Sequence, residues 1–68
     1  MTLGERLRQL RDMKGLSQDE LGQRANVPRS VIADVESGHR ATVTLDTAKR
    51  LAEALAVTID SLVGSGGA

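Results

Sequence analysis

Between Leu16 and Gly38 the chain carries two full sets of helix punctuation, and that density of starts and stops leaves room only for a pair of short helices joined by a tight turn. Ser17 followed by Glu20 has the spacing of a capping box, in which each side chain satisfies the other residue's backbone N–H. Leu16 before the cap and Leu21 after it stand where a hydrophobic staple forms. This helix is expected to run to about Ala25, because Asn26 is the commonest non-glycine type able to take positive φ. A second helix starts near Pro28, since proline fits a helix start and no interior position. It carries Val31, Ile32 and Val35 before Ser37-Gly38 stops it.

The flanks read in the same way. Thr2 and Glu5 form another capping box, Leu3, Leu7 and Leu10 follow on one face, and Lys14-Gly15 closes the helix. After a polar stretch from His39 to Val43, Thr44 caps a helix whose apolar face is Leu45, Ala48, Leu51, Ala52 and Leu55. Thr58 caps a last short helix, Ile59 to about Val63, with Val57 and Leu62 as its staple. The expectation is an all-α, compact five-helix domain over residues 1–63, followed by a flexible Gly/Ser tail at 64–68.

Composition narrows what such a domain can be. With no Cys, Phe, Tyr or Trp, its core has to be aliphatic, without disulfides or thiolate metal sites. The missing aromatic rings also count against single-stranded nucleic acids, which are usually held by stacking; duplex DNA passes that test. Nine Lys plus Arg balance nine Asp plus Glu, so charge alone does not point to DNA. No apolar run spans a bilayer and Met1–Leu10 is charged rather than a signal segment, which leads to the expectation of a cytoplasmic protein with no membrane partner.

From Gln18 to Ser37 the spacing is that of a helix-turn-helix unit: Gly22 where the helices approach most closely, Ala25 close-packed, and Asn26 in the turn. The chain resembles the Cro-type, lambda-repressor-like (XRE) family of bacterial and phage regulators over about residues 3 to 63. The resemblance rests on LRQLRDMKGLSQDELGQRANV, on SVIADVESG with its diagnostic Glu36-Ser37-Gly38, and on LDTAKRLAEALAVTIDSLV. It implies that the helix after Asn26 enters the major groove, that Gln18 contacts a phosphate, and that Arg29, Ser30 and Asp34 face base edges. It also implies a backbone-clamping cation at Arg40, beside His39, and a structural ion pair between Arg11 and Glu36.

Elementary chemistry is consistent with these roles. Helix N-termini attract phosphate, which suits Ser17 and Gln18. Arg29 on the first turn can fork to guanine O6 and N7; Ser30 can donate or accept; Ala33 offers a methyl to thymine or clearance for the backbone. Asp34 has two roles open to it, accepting from cytosine N4 or holding Arg29. Two features depart from the family pattern: Pro28 stands where a capping Ser or Thr is frequent, and the net charge is low.

Two functions of different class fit. One is a transcriptional regulator, a repressor, binding a double-stranded operator as a homodimer. The other is an antitoxin-like or assembly interaction module on the same fold, favoured by the neutral charge and by the apolar set Leu55, Val57, Ile59, Leu62 and Val63. Catalysis is not expected: His39 is the only His, no nucleophile is paired with a base, and no metal-ligand or cofactor-binding spacing occurs.

Overall fold

The computed structural model describes residues 2–63, so the expected tail at 64–68 lies outside the described residues. Five helices occupy that span: α1 (Leu3–Met13), α2 (Gln18–Ala25), α3 (Arg29–Ser37), α4 (Leu45–Ala54) and α5 (Ile59–Val63). Four begin on a hydroxyl. The side-chain oxygens of Thr2, Ser17, Thr44 and Thr58 accept from the backbone N–H three residues on, at 3.1, 3.0, 3.2 and 3.0 Å. In α1 and α2 the glutamate returns the bond, completing both capping boxes. Only α3 starts without a side-chain cap, on Pro28.

Helices α1, α2 and α4 stop by one device. A residue of positive φ follows the last turn (Gly15 at 69°, Asn26 at 57°, Ala56 at 58°), and the next residue's N–H reaches back to a carbonyl five positions earlier. Those bonds are Leu16 to Arg11 at 3.1 Å, Val27 to Gly22 at 2.9 Å and Val57 to Ala52 at 3.0 Å. This is the Schellman ending, which satisfies carbonyls that a terminated helix otherwise leaves bare. The residue it delivers is apolar each time: Leu16 and Val27 are buried, and Val57 packs against the core.

These stops set the directions in which the helices fold back on an aliphatic core. Leu7, Leu21, Ile32, Leu51, Leu55 and Leu62 are fully enclosed, each worth about 1.5–3 kcal/mol relative to exposure. Glycine allows two close approaches. At Gly22 a methyl would come within 2.7 Å of the Val27 carbonyl, and at Gly4 it would overlap the Val35 carbonyl, so α1 lies hard against the end of α3. Helix α3 is thereby held by α1 on one side and α2 on the other. The apolar face read into α4 needs one correction: Leu45 is 71% exposed, because a first-turn residue lies before the point where the helix meets the core.

Among the described residues Ala56 is the one alanine held in the left-handed region, where a Cβ is penalised by roughly 1–2 kcal/mol. Ala56→Gly is therefore expected to stabilise the domain, by about 1 kcal/mol after the greater freedom of glycine in the unfolded chain is subtracted. Thermal denaturation checks this, and a lowered melting temperature would contradict the assigned backbone conformation.

Candidate nucleic-acid interface

Burial of Ile32 and Val35 fixes which side of α3 is left over. Arg29 and Ser30 stand exposed on the first turn, and Ala33 and Asp34, four residues on from each, lie half-buried on the next. The four side chains thus form two adjacent ridges along one outward face. Asp34 makes no ion pair with Arg29 among the described residues, so the tether considered from the sequence is not formed. Residues five apart diverge around a helix, which explains the result.

Backbone bonds tie the following loop to the same helix. The Asp34 carbonyl accepts from the Arg40 N–H at 3.0 Å and from the Ser37 hydroxyl at 3.1 Å, and His39 Nδ1 lies 2.9 Å from that hydroxyl. The Arg40 side chain is exposed and has no polar partner among the described residues. At the other flank, Ser17 is exposed while its oxygen caps α2, and the backbone N–H groups of Gln18 and Asp19 have no acceptor inside their helix. Asp19 was not singled out from the sequence, yet it shares with Pro28 and Arg29 the groove running along the turn. Its one-dimensional neighbours carry no sign of that meeting.

A cluster of charges lies behind these ridges. Arg11 grips Glu36 through two parallel bonds, Nε to Oε2 at 2.8 Å and Nη2 to Oε1 at 2.9 Å, and donates Nη1 to the Leu16 carbonyl at 2.9 Å. Both side chains are largely enclosed, at 13% and 6% exposure. Gln18 Nε2 donates to the same Glu36 Oε1 at 3.1 Å, so one of its two amide hydrogens is already committed within the protein. Two anchors went unseen in the sequence. Arg6 donates to the Ser61 carbonyl at 2.8 Å, and Arg50 donates to the carbonyl of Asn26 at 3.3 Å while pairing with Asp46. A cation-to-carbonyl contact across the fold leaves no periodic trace.

With this geometry in view, comparison with known proteins is decisive. The helix-turn-helix family model matches residues 7–62. The chain belongs to the helix-turn-helix family. It is 36% identical over 64 residues to the immunity repressor protein of Bacillus phage phi105, a match covering 94% of this chain but only 44% of that protein. Among solved structures it is similar to the restriction-modification controller protein C.AhdI from Aeromonas hydrophila, with TM-score 0.83 and 42% identity over 88% of this chain and 89% of that one. It is also similar to the N-terminal DNA binding domain of SinR from Bacillus subtilis, with TM-score 0.85 and 27% identity over 88% and 87%.

Burial works to raise the Glu36 pKa, but the hydrogen bonds from Arg11 and Gln18 outweigh it and hold the carboxyl below its ordinary range. The same pair raises that of Arg11, chiefly through the Glu36 bond. A group with a depressed folded pKa adds stability that is fully present above its unfolded pKa and is lost as pH falls through the folded one. Glu36→Ala, which leaves the enclosed Arg11 with only the Leu16 carbonyl and the more distant, exposed Asp12 carboxylate at 3.6 Å, is expected to cost about 3 kcal/mol near neutral pH. Urea unfolding across an acid series should show that cost shrinking as the wild type protonates. An unchanged gap at all pH values would remove the ion pair as its cause.

Proposed function

We propose that this protein binds double-stranded DNA sequence-specifically as a transcriptional regulator, a repressor, with α3 lying in the major groove. The observation that carries the reading is the outward face of α3. Arg29 and Ser30, exposed, and Ala33 and Asp34, half-buried one turn on, project from a helix locked on its other side by Ile32 and Val35. Arg29 reads guanine by its fork, Asp34 accepts from a cytosine amino group, Ser30 bonds either way and Ala33 meets a thymine methyl. Ser17 and Gln18 on one flank, and His39 and Arg40 on the other, bind phosphates and set the register without reading sequence. The printed functions of the repressor and of the two structural neighbours agree with this assignment. It asks for binding alone and no catalytic step.

Selection of bound duplexes from a random pool at two salt concentrations tests it directly. Arg29→Ala is expected to relax the preference at one base pair, worth about 1–3 kcal/mol. Arg40→Ala should weaken all sequences alike and lower the salt slope by about 1. Binding indifferent to both sequence and salt would overturn the assignment.

Two half-sites are read by a homodimer in this scheme, about one helical turn of DNA apart. The apolar set that favoured an interaction module in the sequence does not supply the seam whole, since Leu55 and Leu62 are fully enclosed in the protein's own core. Exposed apolar surface gathers instead where Leu45 and Val63 meet Leu3, Val43 and Ile59 around one groove. Sedimentation should find a dimer that Leu45→Glu converts to a folded monomer with weakened operator binding. A wild type that stays monomeric at high concentration would rule the seam out.

A further inference from the structure

We propose that Glu36 is a positioning residue for the DNA backbone: its carboxylate orients the Gln18 amide so that an N–H, and not the carbonyl oxygen, is presented to a phosphate. This rests on the DNA-binding reading above and explains how one of its phosphate contacts is prepared.

Glu36 Oε2 takes Arg11 Nε at 2.8 Å, and Oε1 takes both Arg11 Nη2 at 2.9 Å and Gln18 Nε2 at 3.1 Å. An ionised carboxylate only accepts, so a flipped Gln18 amide would set oxygen against oxygen at a side chain only 6% exposed to water. The amide therefore has one tolerated orientation, dictated by Glu36. A phosphate oxygen likewise only accepts, and the single nitrogen of Gln18 has a second hydrogen, directed about 120° from the first by the planar group. That hydrogen belongs to the first residue of α2, next to the Ser17 hydroxyl and to the backbone N–H groups of Gln18 and Asp19 that have no acceptor in the helix. Arg11 keeps Glu36 charged, Glu36 orders Gln18, and Gln18 meets the DNA with its rotamer already chosen.

A double-mutant cycle on affinity separates this from a merely structural role. Wild type, Gln18→Met, Glu36→Gln and the double variant are compared on the duplex selected above, at a temperature where circular dichroism shows all four folded. Gln18→Met is expected to weaken binding roughly ten-fold per half-site, equally for every sequence. Glu36→Gln should also weaken it, but by less than about two-fold once Gln18 is already methionine. Equal losses from Glu36→Gln in both backgrounds, or full affinity in Gln18→Met, overturn the proposal. Should Glu36→Gln fail to fold, nuclear magnetic resonance on the wild type decides instead. One Gln18 side-chain amide proton should lie close to the Arg11 Hη2 protons that share Glu36 Oε1 with it and exchange slowly before DNA is added, and the other should shift when DNA binds. Two solvent-averaged protons overturn the idea. A wild type that binds no duplex shows itself in the control arm as failure of the DNA-binding reading, whereas the free-protein spectrum reports separately on whether Glu36 orders the amide.

Discussion

The Arg11–Glu36 pair is the point on which the arrangement of the first three helices turns. Arg11 leaves the last turn of α1, binds the carboxylate near the end of α3 and donates a further bond to Leu16, the residue that leads into α2. One planar guanidinium thus fixes three segments at once, which a lysine, a point charge without a rigid fork, could not do. Charges so enclosed are costly unless every donor and acceptor is matched. Here they are: no enclosed side-chain nitrogen or oxygen among the described residues lacks a partner. The aliphatic core supplies cohesion without direction, because Leu, Ile, Val and Ala pack in many ways of similar energy. The ion pair adds the direction, and with it the angle at which α3 leaves the body of the domain.

Much of this was legible in one dimension. Four hydroxyl caps and the Asn26 turn are local, each chosen by the few residues around it, so Thr2, Ser17, Thr44 and Thr58 could be marked without knowing what they pack against. What could not be read depends on where distant segments meet. Gly4 looks like an ordinary weak spot in a helix until α3 is laid across it. Ala56 carries no sign of positive φ, because alanine favours helices and only the burial demanded at Leu55 and Val57 holds it in the turn. Leu45 fits the apolar period of α4 and is nevertheless exposed, since the period says which residues share a face but not how far along the helix its neighbour extends. At the interface, the ridges of α3 follow from helical spacing, whereas Asp19 in the turn groove and the bond from Gln18 to Glu36 are consequences of the crossing itself.

Electroneutrality fits this division of labour. A strongly basic domain gains affinity for any duplex by displacing counterions, and most of that gain carries no sequence information. With Arg11 committed to Glu36, the cations on the outward face of α3 and its following loop are Arg29 and Arg40, and two acidic side chains stand near them, Asp34 on that face and Asp19 in the groove beside Arg29. A carboxylate close to phosphates raises the energy of every complex by a similar amount, but in the proposed complex Asp34 recovers part of that loss only where a cytosine amino group donates to it. Repulsion that is common to all sites and relief that is confined to one widen the gap between the right sequence and the rest, which is how discrimination is gained at the expense of affinity. On the proposed reading such a domain holds a single half-site weakly, so useful occupancy depends on joining two of them, and the exposed apolar groove at Leu45 and Val63 is the surface proposed for that purpose.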